Sequence, residues 1–484
     1  MVSPALKMAV AILSFAYGIF TLVFYGIVAI FSGVPFRQTS EKERLEFQLA
    51  SDRFWNLSKN WKTFSHRFMT LKNGFKVHYL ANVSSDEIAA SDHGNKPLVI
   101  FLHGFPDSWA MWRHILSSRS VGDESIMIAL DLPGYGGTDS LDVYGPTEIL
   151  ETLTEFIVTL RDQYKVDDGN RQQKKRVIVV AHDWGAILAF RLAAEAPQLA
   201  DRFIITNGIL PDLMKDNVNL SIESANKMFK TFLKEPWRSR HVLCKAIKAL
   251  APVLRQLKRS HYVFVFHLPI PLVRYVGHGG NYSLLKAIHE VAAGKTGGLT
   301  IRDAQEAMAS TLGPSIEELE TMTADGETYS KSVRMRAEQG NFVDTTSYYR
   351  HGAAADPWHK SLETISALHS ICPDERRRTS CGTGVFDPAP GALKANATII
   401  WGMKDDAIVN HLALEGIPER LVQGSQVIAL SQSGHFTPME VESRGALEEA
   451  VLWAVKGETG DVGQAVLSVY PEARVIARQF LAAR

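Results

Sequence analysis

Asp183 is the residue of this chain best placed to act as a nucleophile. It stands in Ala181-His182-Asp183-Trp184-Gly185-Ala186, directly after the apolar run Val177-Ile178-Val179-Val180. A buried strand that turns sharply into a helix holds one side chain up at the turn. The strained backbone there needs small residues two before and two after it, and Ala181 and Gly185 meet that need. A Ser at such a turn suits attack on acyl carbon. A carboxylate can instead displace a leaving group at saturated carbon and form an ester that water then cleaves. Taken alone, the same hexapeptide is also an ordinary strand-to-helix turn with Asp183 as N-cap, a position that Asp favours.

Two more polar groups follow short apolar runs far along the chain. Thr398-Ile399-Ile400-Trp401-Gly402-Met403-Lys404-Asp405 ends in an acid, and Val427-Ile428-Ala429-Leu430-Ser431-Gln432-Ser433-Gly434-His435 ends in a His. An acid that orients a His, and a His that activates water, would supply the second half of ester chemistry. Asp406, next in the chain, and Asp212, in the loop after the run Arg202 to Thr206, are alternative acids. Upstream, the apolar run Pro97 to Leu102 leads into His103-Gly104-Phe105-Pro106. Where a nucleophile sits on a strand-to-helix turn, one oxyanion donor is the amide after it and the other comes from a loop after an earlier strand. The amides of Trp184 and Phe105 are the candidates. The run Ser125 to Leu130 ends in Asp131-Leu132-Pro133-Gly134-Tyr135-Gly136-Gly137, a tight turn by its Pro and Gly content.

These segments resemble the epoxide hydrolases of the α/β-hydrolase superfamily, membrane-anchored forms included. The matching stretches are 103–109, 131–139, 181–186, 401–405 and 434–440, and with the lid motifs the resemblance runs over residues 65–455. Ala181 and Ala186 stand where relatives often have Gly. The resemblance implies an α/β fold with a mostly parallel central sheet, an inserted helical lid and an N-terminal transmembrane helix. It also implies catalytic Asp183, Asp405 and His435 in the superfamily's chain order of nucleophile, acid and His, and it is the reason for preferring Asp405.

Dehalogenases acting on haloalkanes or fluoroacetate look similar and also use an Asp nucleophile, so the lid must discriminate. Opening an epoxide makes an alkoxide that needs proton donors, and epoxide hydrolases use two lid tyrosines, whose phenols are protonated at neutral pH. The stretch Tyr262-Val263-Phe264-Val265-Phe266-His267-Leu268-Pro269 resembles the first such lid motif. Gly340-Asn341-Phe342 through Ser347-Tyr348-Tyr349-Arg350 resembles the second. The donors implied are Tyr262 and Tyr349, with Tyr348 the neighbouring register; either tyrosine alone would read as an ordinary buried aromatic. Phe105 agrees, because many haloalkane dehalogenases carry Asn there. The function implied is conversion of a lipophilic epoxide to a vicinal diol through an Asp183 alkyl ester cleaved by His435-activated water, with no metal or organic cofactor. The alternatives are a dehalogenase and a non-catalytic ligand sensor on the same fold.

The expected domains are a membrane anchor at 8–36, core at 65–208, helical lid at 209–395, core again at 396–457 and a C-terminal tail at 458–484. An apolar content of 46% suffices for a large core. The anchor segment is uncharged over 29 residues, longer than the roughly 20 needed to cross a bilayer and than the apolar core of a signal peptide. Gly18 and Gly26 within it mark possible packing positions. Lys7 precedes it and Arg37, Lys42 and Arg44 follow, a bias that favours a cytosolic catalytic domain; the expected location is the endoplasmic reticulum membrane, crossed once. Sequons at Asn56, Asn82, Asn219, Asn281 and Asn396 would matter only in a lumen. The 52 basic and 52 acidic residues balance, with no stripe that would favour nucleic acid. Cys244, Cys372 and Cys381 lack metal-ligand spacing and read as free thiols.

Overall fold

Strands with every residue buried explain the architecture. The computed structural model describes residues 4–84, 96–167, 175–293, 299–371 and 391–478. Nine strands form one sheet: β1 (Ser65–Thr70), β2 (Lys76–Ala81), β3 (Leu98–Leu102), β4 (Ile126–Leu130), β5 (Val177–His182), β6 (Arg202–Thr206), β7 (Ala397–Gly402), β8 (Gln426–Leu430) and β9 (Ala473–Arg478). Their spatial order is β1-β2-β4-β3-β5-β6-β7-β8-β9. Strands β3 to β8 pair in parallel, while β1, β2 and β9 join antiparallel at the two sides. Strands β3 to β7 are buried throughout, as parallel strands covered on both faces must be. Alternate side chains of β5 enter different layers: Val177, Val179 and Ala181 pack on one side, Ile178 and Val180 on the other. Each fully buried aliphatic of this kind contributes roughly 1.5–3 kcal/mol.

Helices α1 (Pro4–Ser32) and α2 (Glu41–Trp55) precede the sheet, and α3 (Pro146–Gln163) and α4 (Trp184–Glu195) cover one face. The chain leaves the sheet after β6 and returns at β7. Between them lie α5 (Pro211–Lys234), α6 (Arg240–Arg259), α7 (His261–Phe266), α8 (Ile270–Ala292, kinked at Gly279–Tyr282), α9 (Ile301–Leu312), α10 (Lys331–Gln339), α11 (Phe342–Arg350) and α12 (Leu362–Ile371). After β8, α13 (Arg444–Val455) and α14 (Val462–Val469) pack on the opposite face from α4.

Two expectations need correction. Residues 458–478 of the expected tail at 458–484 are not a tail, because α14 docks on the core and β9 completes the sheet against β8. The apolar helix ends at Ser32, short of the expected 36, where Gly33 takes φ 73° and Val34–Phe36 forms a separate turn. Met8–Ser32 is long and apolar enough to cross a membrane, and most of its residues are exposed, with Gly18 and Thr21 buried. Cys244 is an exposed free thiol, whereas Cys372 and Cys381 lie outside the described residues.

Candidate active site

The turn from β5 into α4 places Asp183 at φ 51° and ψ −115°, a backbone region that non-glycine residues rarely occupy and that costs of order 1–3 kcal/mol. Close packing holds it there. A Cβ on Gly185 would lie 2.3 Å from the Leu102 carbonyl oxygen, and one on Gly104 would lie 2.4 Å from the Asp183 Cβ. The need for a small residue at 185 therefore comes from the neighbouring strand β3. The Phe105 amide donates to Asp183 Oδ1 at 2.8 Å. Trp184 opens α4, so its amide lacks an intrahelical acceptor.

His435 bridges the two acids. Its Nδ1 lies 2.8 Å from Asp405 Oδ2 and its Nε2 lies 3.3 Å from Asp183 Oδ2. Asp405 is fully buried, and its Oδ1 accepts from the amides of Ala407 at 2.7 Å and Ile408 at 2.8 Å. Asp406 points to solvent, and Asp212 lies against Gly391 in the lid connection.

Three supporting groups were not foreseen. Asn207, directly after β6, donates to Asp405 Oδ2 at 2.8 Å and accepts from Thr437 Oγ1 at 2.7 Å. Glu440 accepts from the amides of Gly434 at 2.7 Å and Phe436 at 3.0 Å, clamping the residues on either side of His435. Asp131 opens the tight turn after β4. It accepts from the amides of Trp109 at 2.8 Å and Gly137 at 2.9 Å and from His78, tying that turn to the Phe105 loop. Strand-end position was the available signal for Asn207, and the 434–440 motif contained Glu440.

The lid lowers two phenols over this arrangement. Tyr262 on α7 and Tyr349 on α11 have ring centroids 6.0 Å apart, and Tyr349 also packs on Phe105 at 5.7 Å and Trp184 at 4.9 Å. Arg350 joins the two lid motifs by donating to the carbonyls of Phe266 at 2.5 Å and Leu268 at 2.8 Å. Tyr348 turns away, donating its hydroxyl to the Pro133 carbonyl at 2.9 Å among Tyr135 and Tyr144.

Residues 99–450 match the Alpha/beta hydrolase family. The chain belongs to that family. Among relatives of this α/β hydrolase, Epoxide hydrolase 2 of Caenorhabditis elegans is 32% identical over 178 residues, 36% of this chain and 42% of that protein. Epoxide hydrolase 3 of Mus musculus is 30% identical over 154 residues, 30% of this chain and 36% of that protein. The matches thus span less than half the length of these curated relatives. A solved epoxide hydrolase from Bacillus megaterium aligns over 81% of this chain and 99% of that chain, with TM-score 0.46 and 21% identity.

Electrostatics in this α/β hydrolase set the resting protonation of the trio. Burial pushes the Asp183 carboxyl up, but its hydrogen bond to His435, the nearby histidine charge and the Phe105 amide outweigh that and hold it below the usual range. Burial likewise pushes His435 down, yet Asp405 and Asp183 together raise it to about 10. At neutral pH the pair is therefore carboxylate and imidazolium. Burial pushes both Tyr262 and Tyr349 above their ordinary value, helped at Tyr262 by the Asp183 charge and at Tyr349 by Tyr262 and then Asp183, so both stay protonated.

Proposed function

We propose that this α/β hydrolase opens a lipophilic epoxide to a vicinal diol, with Asp183 as nucleophile, His435 and Asp405 as the water-activating pair and Tyr262 and Tyr349 as proton donors to the epoxide oxygen. The observation that carries the reading is an ionised Asp183 hydrogen-bonded to the His435–Asp405 pair beneath two protonated lid tyrosines. A dehalogenase needs no such pair of donors. The epoxide hydrolase names of the partial relatives point the same way.

The hydrogen bonds suggest which oxygen does what. Oδ1 is held by Phe105, so Oδ2 attacks the ring carbon while a tyrosine protonates the departing oxygen. Oδ1 becomes the ester carbonyl oxygen, already facing its oxyanion donor, an arrangement typically worth about 3 kcal/mol per donor. The new ester carries no charge. His435 loses one of the two carboxylates that raised it, and its proton returns to the tyrosine that gave one up. Neutral His435 then takes a proton from the water that attacks the ester. Collapse of the tetrahedral intermediate releases the diol and restores carboxylate and imidazolium. Met8–Ser32 is read as a single membrane anchor, with the catalytic domain on the cytosolic face of the endoplasmic reticulum.

A single turnover in oxygen-18 water, with enzyme in excess over a lipophilic epoxide, tests the reaction. The expected result is label on the Asp183 peptide and an unlabelled diol; a labelled diol with unlabelled Asp183 would mean direct attack by water. The lid assignment has its own check. Tyr262→Phe and Tyr349→Phe should each lower kcat by about 10²–10⁴-fold. Tyr348→Phe should keep kcat and lower stability by about 1 kcal/mol for its buried hydrogen bond. The reverse pattern in steady-state rates and thermal melts would exchange the roles of Tyr348 and Tyr349.

A further inference from the structure

We propose that the α5–α6 hairpin of the lid rests on an anionic bilayer surface, with its exposed apolar side chains among the headgroups and its lysines and arginines on lipid phosphates. The proposal rests on the reading of α1 as the membrane anchor and extends it to the catalytic domain. Three observations carry it.

The first is exposure. Ile222, Phe229 and Leu233 recur along one face of α5, Ile247 and Leu254 along one face of α6, and Trp237 stands at the connection between the helices. All six are between 44% and 81% exposed. Such spacing on two adjoining helices is an amphipathic face that the rest of the described protein leaves uncovered.

The second is charge. Residues 211–260 carry eleven Lys and Arg against four Asp and Glu, a net of +7 in a chain whose total is zero. Lys227, Lys230 and Lys234 follow the α5 face, and Lys248, Arg255 and Lys258 follow that of α6; all six are exposed. Apolar side chains flanked by cations match the boundary between acyl chains and anionic headgroups, and the cations choose that surface over a neutral one.

The third is continuity with the anchor. Helix α6 leads within two residues into α7, which is clamped to α1. The Tyr25 hydroxyl is 3.3 Å from His261 Nε2, and the Tyr17 ring packs edge-on to Phe264 at 4.9 Å. A Cβ on Gly18 would fall 2.6 Å from the Phe264 carbonyl oxygen, so the close approach requires glycine, whereas Gly26 has no neighbour within 4 Å. The segment of α1 that grips the lid lies inside the apolar span Met8–Ser32. The helix that the anchor reading assigns to the membrane therefore holds the lid at α7, the helix that carries Tyr262.

The test uses the full chain in nanodiscs of phosphatidylcholine alone, in nanodiscs of phosphatidylcholine with phosphatidylserine, and in detergent, with hydrogen–deuterium exchange followed by mass spectrometry. Peptides within 211–260 should exchange about tenfold more slowly in the serine-containing discs than in detergent, with less protection in neutral discs and none of either difference for α4. Two variants, Phe229→Ser with Leu233→Ser and Leu254→Ser, and Lys227→Glu with Lys230→Glu and Lys234→Glu, should lose the protection. Equal exchange in all three settings, equal protection in the two kinds of disc, or an N-glycan on Asn219 of α5 in cells would each overturn the proposal. Failure of the anchor reading looks different: the protein would leave the discs altogether instead of remaining with an unprotected hairpin.

Discussion

Asp183→Ala should abolish turnover of any good epoxide substrate, with a loss of about 10⁴-fold or more in kcat, because the proposed mechanism has no second nucleophile and removal of a nucleophile disables the whole unit. The variant should still fold. Asp405 continues to partner His435 Nδ1, and the new cost falls on two groups that lose Asp183 as a partner, the Phe105 amide and His435 Nε2, at about 1–3 kcal/mol for an unpaired buried donor. Thermal unfolding measured beside the rate separates the two effects. Retention of turnover within tenfold of the unmodified enzyme, in a variant that melts normally, would remove Asp183 from the mechanism.

His435→Gln should separate the two half-reactions. In the proposed mechanism alkylation needs Asp183 and the tyrosines, which remain, whereas ester cleavage needs the base, which is gone. The variant should consume one equivalent of epoxide, stop, and gain the mass of one substrate on the peptide containing Asp183. Steady turnover should fall by about 10²–10⁴-fold. The acid side of the alkylation step should also move. Asp183 is held low by His435 against its burial, so without the imidazole its carboxyl rises, and alkylation is then lost as pH falls through a higher value than in the unmodified enzyme. In the unmodified enzyme, pre-steady-state rates of ester cleavage should rise with pH through an apparent pKa below the resting His435 value of about 10, since the ester no longer carries the Asp183 charge. A variant that forms no ester at pH 8, or that turns over normally, would contradict the assignment.

Several features of the site were legible because they are local. The apolar run before Asp183 and the small residue at 185 describe one strand and one turn, and the turn's geometry is dictated within a few residues. The strand-end positions of Asp405 and His435 are equally local, as is the long uncharged helix near the start. The His78–Asp131 contact was not legible, since the two residues are far apart in sequence and meet only through the pairing of β2 with β4. Overall neutrality likewise concealed the basic lid hairpin, because a sum over the chain discards position.

The sequence by itself determined the identity of the carboxylate at the elbow and the chain order of the three polar groups, because short-range patterns of burial and turn chemistry specify them, and the kind of fold followed from the resemblance that these motifs carry. Tertiary structure sets Asp405, the acid the resemblance implied, and not Asp406 or Asp212 against His435, packs Tyr349 and not Tyr348 over Phe105, and alone decided that Asn207 and Glu440 hold the trio in place. It also made residues 473–478 a strand and not a tail, and brought α1 onto the lid at Gly18. Each of these is a choice between chemically similar neighbours or distant segments. Only burial and hydrogen-bond distance, set by packing across hundreds of residues, separate the alternatives.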